Sequence, residues 1–338
     1  FHRNRTDEIM PLLVGLAYDI KPTRPKRASG DAYAEHDSPE TISSVEEALK
    51  AGGHGVVRIG SSKDLLKNIR RLKCDIVFNI AEGISGRNRE SEVPILLDIA
   101  GIPYTGPDAL ALSVTLDKPS AKKIFKYHGI PTPRYSVAAS ASRITLPKGM
   151  GFPVIVKPAH EGSAKGIGAD SVVKDMRSLE RKAAHVINTY KQPALIEEFV
   201  EGWEFTVGVI GNARMSVLPA VERHVCAKSG LSSHVLEKCG HASAGRGYRK
   251  LFGVDPAIEG RIKGLAAEAF LALECRDFAR FDFRVSARGR RIFMLEANPL
   301  PSLAKDDYFA MVAQLQGLSY QDMINRMFDA ALERCGLS

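Results

Sequence analysis

Apolar and polar positions follow two rhythms along this chain. Residues 12–18 form a short, almost wholly apolar run that reads as a buried first strand. After a loop rich in Pro, Lys, Arg and Gly at 21–30, Ser38-Pro39-Glu40-Thr41 opens a helix. Ser38 can cap it, Pro39 suits its first turn, and Ile42, Val45, Ala48 and Leu49 recur at helical spacing. Gly52-Gly53 ends it. Strands follow at 55–59 and 75–80, around an amphipathic helix at 64–72. This alternation predicts an α/β fold with an N-terminal parallel, Rossmann-like sheet and right-handed crossovers. Ligands of such sheets gather beyond the strands' carboxyl ends, here Tyr18-Asp19 and residues 79–83.

Further on the pattern changes. A helix at 91–100 leads through residues 101–106 to Leu116-Asp117-Lys118. A lysine at a helix start, where backbone N–H groups point outward, either binds phosphate or is simply solvated. A strongly apolar strand at 152–158 carries Lys157, and the loop Glu161-Gly162-Ser163-Ala164-Lys165-Gly166-Ile167-Gly168 joins it to a second strand at 169–173. Backbone amides of such a loop can close over a triphosphate, although glycine-rich hairpin loops are also common as plain turns. The GxxxxGK[ST] spacing is absent and no helix follows directly. A strand at 195–199 carries Glu197 and Glu198, and Glu201-Gly202-Trp203-Glu204 precedes a strand at 205–209. These acids serve either adenine and ribose or a sheet edge. Residues 223–250 lack a period and are long enough for an active-site lid. Helices are predicted at 257–273, 306–316 and 320–335.

Residues 280–302 read as two strands around a turn near Gly289. Phe281, Phe283 and Val285 share one face of the first strand, and Arg280, Asp282 and Arg284 the other. Period-two counting puts Ile292, Met294, Glu296 and Asn298 on one face of the second, with Asp282 opposite or almost opposite Glu296. Two carboxylates and an amide oxygen beside an arginine suit a hard cation such as Mg²⁺, which keeps waters and phosphate oxygens as its remaining ligands. The bland alternative is an amphipathic hairpin whose charges face water.

Composition narrows the class. With 44% hydrophobic and 25% charged residues among 338, disordered and fibrous classes are excluded. The net charge of +8 raises nucleic acid or membrane as partners, yet Lys and Arg nowhere cluster with aromatics, and neither partner is expected. Five scattered cysteines without a CxxC pair argue against zinc or a disulfide framework and fit a reducing cytoplasm. Residues 1–9 are polar, precede the strand beginning at Met10, and stay outside the fold argument.

Taken in order, the blocks at 101–118, 152–168, 195–208 and 280–301 resemble the ATP-grasp superfamily, and within it the D-alanine–D-alanine ligase family. The resemblance implies three domains, expected at 10–112, 113–209 and 210–338, with ATP clamped between the last two. It implies that Lys118 and Lys157 contact ATP phosphates and that Glu161, Gly162, Ser163 and Gly166 form the phosphate-covering loop. Glu197, the backbone at Glu198, Phe199 and Val200, and Glu204 would hold adenine and ribose. Lys238 would reach the γ-phosphate. Asp282, Glu296 and Asn298 would bind two Mg²⁺ ions, with Mn²⁺ an alternative. Arg280 would stabilise the charge developing on the phosphoryl group and acyl intermediate, with Ser163 and Lys238 as further catalytic residues. The family's habit also suggests a homodimer.

Departures from the family pattern cluster on the amino-acid side. Glu82 stands where a histidine usually touches the first substrate, and Glu40-Thr41-Ile42-Ser43 only approximates the stretch whose glutamate binds its amino group. Cys239 follows Lys238 in place of the usual tyrosine. Asn298-Pro299-Leu300-Pro301-Ser302-Leu303 replaces the usual Asn-Thr-x-Pro-Gly-Met, and Asp306 and Asp307 lie where small residues usually receive a carboxylate. The two aspartates either acidify the pocket or simply occupy a helix N-terminus, where acids are favourable. Glu40, Glu82, Arg280, Ser302 and Asp307 are therefore the expected substrate residues. The sequence reads as an ATP-dependent carboxylate–amine ligase for substrates other than two D-alanines. Alternatives are a D-alanine–D-alanine ligase with a divergent pocket, a nucleotide-binding module without catalysis, and a basic nucleic-acid binder.

Overall fold

The computed structural model describes residues 11–22, 31–142, 144–226, 229–232, 248–249, 255–288 and 290–338. Lys238, Cys239, most of the expected lid, residues 1–9 and the hairpin apex Gly289 lie outside them.

Strands β1 (Leu13–Ala17), β2 (Gly55–Gly60) and β3 (Ile76–Asn79) form a parallel sheet in the order β2-β1-β3. Helix α1 (Pro39–Ala51) starts as its cap residue dictates, with the Thr41 N–H donating to Ser38 Oγ at 3.2 Å. Its stripe of Ile42, Val45, Ala48 and Leu49 is wholly buried. Helices α2 (Ser62–Asn68) and α3 (Glu92–Ala100) complete this layer. Helices α4 (Ala109–Leu116) and α5 (Lys118–Tyr127) follow, and Asp117 caps α5 through Ser120 N–H.

Strands β4 (Tyr135–Ala138), β5 (Val154–Pro158), β6 (Val172–Val173) and β7 (Ala194–Glu198) make an antiparallel sheet in the order β4-β7-β5-β6. It is backed by α6 (Met176–Tyr190) through Leu179, Ala183 and Val186. The largest sheet holds β8 (Gly202–Ile210), β9 (Ser216–Val217), β10 (Val221–Arg223), β11 (Tyr248–Arg249), β12 (Phe278–Ser286) and β13 (Ile292–Asn298). Helix α7 (Pro256–Ala272) packs behind it. Every residue of β8 pairs with β12, so the boundary expected after residue 209 would split this sheet; the change of sheet falls between β7 and β8. Helices α8 (Tyr308–Leu315) and α9 (Tyr320–Cys335) return the chain to the parallel sheet, sharing one core with α1, β1 and β3. Among the described residues no helix is long and apolar enough to cross a membrane.

One correction concerns β13. Asp282 pairs directly with Glu296, and Arg280 with Asn298, but the register then steps to Phe283 opposite Met294. Leu295 is thus an extra residue, a β-bulge that reverses the alternation. Ile292 and Met294 lie in the core with Phe281, Phe283 and Val285, whereas Glu296 and Asn298 turn toward the acidic and basic face of β12. The expected single face for all four does not occur. Unbroken period-two alternation would have kept Glu296 on the same buried face as Met294.

Candidate active site

Two cavities flank the junction of the three sheets. The first, about 120 Å³, lies between the four-stranded and largest sheets. It gathers Lys118, Lys157, Glu161, Ser163, Glu197, Glu198, Phe199, Val200, Glu204, Arg280, Asp282 and Glu296, twelve residues singled out from sequence. The second, about 500 Å³, opens toward the parallel sheet and takes Glu82, Gly162, Asn298, Ser302 and Asp307, together with Arg280 again. Lys118, Ser163, Arg223 and Arg280 line both.

Charges in the smaller cleft are paired internally. Lys118, at the first position of α5, sits 3.3 Å from Glu296 and also donates to the Glu161 carbonyl. Glu197 lies between two buried lysines, Lys122 and Lys157, and ion-pairs with both. Burial opposes its charge, yet the two ammonium groups prevail and hold its carboxyl below the usual range. Burial likewise works against Glu296, but Lys118, Lys157 and Arg280 bring it down to about 2. Lys122, fully buried, is lowered to about 8 by desolvation, against the pull of Glu197. Glu204 is held by Arg284 at 2.8 and 3.0 Å. The same guanidinium donates to the carbonyls of Val200 and Gly230 and lies over the Phe199 ring, so Arg284 organises the wall expected to face adenine.

Asp282 accepts from Thr206 Oγ1 at 2.7 Å, from Asn298 Nδ2 at 3.1 Å and from Arg280 at 3.2 Å. Two carboxylates and one amide oxygen are all hard donors, and among the described residues no group of three or more His, Cys, Asp and Glu side chains could close around a metal. So sparse an oxygen set fits a divalent hard cation that completes its shell with water and phosphate oxygens.

The glycine-rich loop is tied to the N-terminal part of the chain. Gly162 N–H donates to Glu35 Oε1 at 2.5 Å, Gly166 N–H donates to Asp31 Oδ2 at 2.9 Å, and Lys165 reaches Glu35 at 3.0 Å. Ser163 takes φ 47° and Gly166 φ 74°, and a Cβ on Gly166 would come within 2.5 Å of Pro158. Gly166 supports the loop from beneath and lines neither cavity.

One expectation needs revision. Glu40 is exposed in the first turn of α1 and lines neither cavity; the acids that do so from this region are Glu35 and Asp37. Asp307 caps α8, accepting from Tyr308 N–H at 2.7 Å, and also lines the larger cavity. Arg89, Glu35, Glu90, Arg223 and Arg284 were not foreseen as site residues. Arg223 carries the plainest signal, since it continues the alternation of Val221 on β10 and donates to Thr206 Oγ1 at 2.8 Å beside Asp282.

Residues 124–329 match the family described as D-ala D-ala ligase C-terminus. The uncharacterized protein y4sG of Sinorhizobium fredii is 32% identical, over 90% of this chain and 92% of its own. The D-alanine–D-alanine ligase of Carboxydothermus hydrogenoformans is 30% identical, over 88% of this chain and 94% of its own. The crystal structure of the D-alanine–D-alanine ligase from Bacillus anthracis complexed with ATP superposes with a TM-score of 0.74 at 19% identity, covering 95% of this chain and 98% of that one. The fold and site define an ATP-grasp ligase, an enzyme that forms carbon–nitrogen bonds. Within that class, this chain belongs to the D-alanine–D-alanine ligase family.

Proposed function

We propose that the protein joins a carboxylate to an amine at the expense of ATP, through an acyl phosphate, on substrates other than two D-alanines. The observation that carries this reading is the meeting of the two cavities at Lys118, Ser163, Arg223 and Arg280. A γ-phosphate delivered from the smaller cleft would there face a carboxylate delivered from the larger one. The carboxylate oxygen attacks the γ-phosphorus, and the bond to the ADP oxygen breaks. The amine nitrogen then attacks the acyl carbon, the bond to phosphate oxygen breaks, and phosphate leaves with the amine proton lost to solvent. Lys118 and Arg280 offset charge on the transferred group and on the tetrahedral oxyanion. Asp282, Glu296 and Asn298 would hold Mg²⁺, which supplies further neutralisation of phosphate charge.

Lys118 and Lys157 are held by carboxylates that the phosphates of a nucleotide would replace. Read as three domains, the parallel sheet would present the amino acid and the other two would clamp ATP.

The substrate reading rests on the larger cavity, where six acids (Glu35, Asp37, Glu82, Glu90, Asp306 and Asp307) surround the space a D-alanyl carboxylate would enter. Coulomb repulsion disfavours that carboxylate away from Lys118 and Arg280. The competing reading, a D-alanine–D-alanine ligase with an altered pocket, draws on the names of relatives near 30% identity. ADP release with paired amino acids, followed by mass analysis of the product, separates the two. Little ADP with D-alanine alone and stoichiometric amide with another pair is expected. Efficient D-alanyl-D-alanine synthesis overturns the proposal.

A further inference from the structure

Among the described residues the larger cavity is lined by more carboxyl groups than its walls pair. Glu35 is matched: Arg89 donates to it at 2.6 Å and Lys165 lies 3.0 Å away. Of the four Lys and Arg side chains lining the space, Lys118 and Arg280 are directed to Glu296 and Asp282, Arg223 donates to Thr206, and Lys21 is exposed to water and makes no ion pair with these acids among the described residues. Arg89, although next to Glu90 in sequence, sends its guanidinium to Glu35 and to the carbonyls of Gly86 and His160.

Glu82 and Glu90 are left. Glu90 is only 8% exposed and lines the cavity, yet among the described residues its carboxyl has neither hydrogen bond nor ion pair. Glu82, half-buried across the same space, has none either. Asp37, from the segment before α1, is a third acid without a side-chain partner among the described residues. A buried carboxylate with no donor is costly, and natural sites supply the donor or await a ligand that does. Desolvation, reinforced by the neighbouring acids, raises Glu82 well above its usual range. Desolvation raises Glu90 to about 7, with Arg89 pulling the other way.

We infer that this cavity accepts a substrate carrying a second positive group besides any α-amino group, an α-amino acid with a side-chain ammonium or guanidinium, and that Glu82 and Glu90 bind that group. The count of charges leads here. An α-ammonium satisfies one of three unmatched acids, whereas a second cation satisfies Glu82 and Glu90 together. A neutral side chain leaves Glu90 desolvated and unpaired. This rests on the ligase reading, because it names one of that reaction's substrates.

The test uses the full chain with ATP and Mg²⁺ in an ADP-release assay, and calorimetry without nucleotide. Lysine, ornithine and arginine of both hands are compared with norleucine and citrulline, near-isosteres without the charge, each alone and paired with other amino acids. The expected result is a preference for the charged member of at least about tenfold in kcat/KM and in affinity, the scale of a charge-assisted hydrogen bond. Glu82→Gln and Glu90→Gln should each reduce that charged-to-neutral ratio by about tenfold, with melting temperature reporting that both variants fold. Equal use of charged and neutral members, or a ratio unmoved in both variants, overturns the inference and leaves the ligase reading standing. Selective binding of charged amino acids with no ADP from any pair supports the cavity assignment and overturns the ligase reading. No binding and no turnover with any member overturns both.

Discussion

The two cavities share four residues and are built on opposite electrostatic plans. In the smaller cleft five of the six lining acids are answered at close range: Glu161 by Lys165, Glu197 by Lys122 and Lys157, Glu204 by Arg284, Glu296 by Lys118 and Asp282 by Arg280, while the more exposed Glu198 has Arg134 only at 4.0 Å. In the larger cavity Glu82 and Glu90 have no such answer among the described residues. A closed set of ion pairs can exchange partners, giving lysines to phosphates and carboxylates to cations with little change in net charge. An open set has to be completed by what it binds. The first plan suits a polyanion with its metal, and the second suits a cation. On the proposed function the difference would also separate catalysis from selection, since a paired cleft can serve many substrates while an unpaired cavity discriminates between them.

The largest effect should come from Glu296→Gln. The bulge at Leu295 turns this carboxylate into the cleft, and it is the partner of Lys118. ADP release with saturating substrates should fall at least about a hundredfold, the scale on which loss of one charge-stabilising group acts. Unfolding should stay cooperative. Near-normal turnover in this variant would detach Glu296 from the chemistry.

Next in size is a stability effect. Lys122 is wholly buried, pairs with Glu197 and donates to Thr132 Oγ1 at 2.6 Å. Lys122→Met leaves Glu197 with Lys157 alone, so the loss should be roughly 2–3 kcal/mol, somewhat less than breaking a buried pair completely. The urea unfolding midpoint measures it. An unchanged midpoint would mean the paired plan of the cleft contributes nothing to the fold.

The two plans also predict opposite pH slopes. Glu197 and Glu296 are lowered on folding, so their stabilisation is complete above the unfolded pKa and is lost as pH falls through the folded one. Burial raises Glu90 to about 7, and burial, then Asp19, raises Asp37 also to about 7. Their unfolded forms release the proton first, so their contribution is complete below about pH 4 and is lost as pH rises through about 7. Glu90 faces Arg89, Glu35, Lys118 and Glu161, which sets the balance it feels. Unfolding free energy without ligand should therefore decline between about pH 5 and 8, by up to about 1.4 kcal/mol per pH unit for Glu90 and less for half-buried Asp37. Glu90→Gln should flatten that decline and leave the acid limb unchanged. A decline of the same slope in the variant would remove Glu90 from the account.

Much of this was legible in the sequence, for local reasons. The cap at Ser38 and the helical stripe from Ile42 to Leu49 define α1, and alternation along β12 separates Phe281, Phe283 and Val285 from Arg280, Asp282 and Arg284. The bulge was not legible, because an inserted residue breaks the alternation without a marker of its own. Helix α6 went unread despite a capping Asp175 and the spacing of Leu179, Ala183 and Val186. Of the acids lining the larger cavity, Glu82 and Asp307 stand out in the sequence, and Glu35 and Glu90 do not. Glu35 meets Arg89 across 54 positions of sequence, and no local pattern announces a contact made by loops that distant.

The smallest effect belongs to Glu40, and it sharpens the comparison most narrowly. Sequence assigns it to the substrate's amino group, whereas the structure leaves it exposed at the start of α1 and outside both cavities. The hydrogen bonds that lower its pKa come first from its own backbone N–H and then from Ser38, both local to the helix start. Glu35, five residues earlier, is buried among Arg89, Gly162 and Lys165. Glu40→Gln should accordingly leave kcat/KM within about twofold of the parent for every amino acid tested, as surface substitutions usually do. Glu35→Gln should weaken both the loop tie and turnover. A loss with Glu40→Gln comparable to that with Glu82→Gln would bring the helix start into the amino-acid site, and the boundary of the unpaired cavity would have to be redrawn around it.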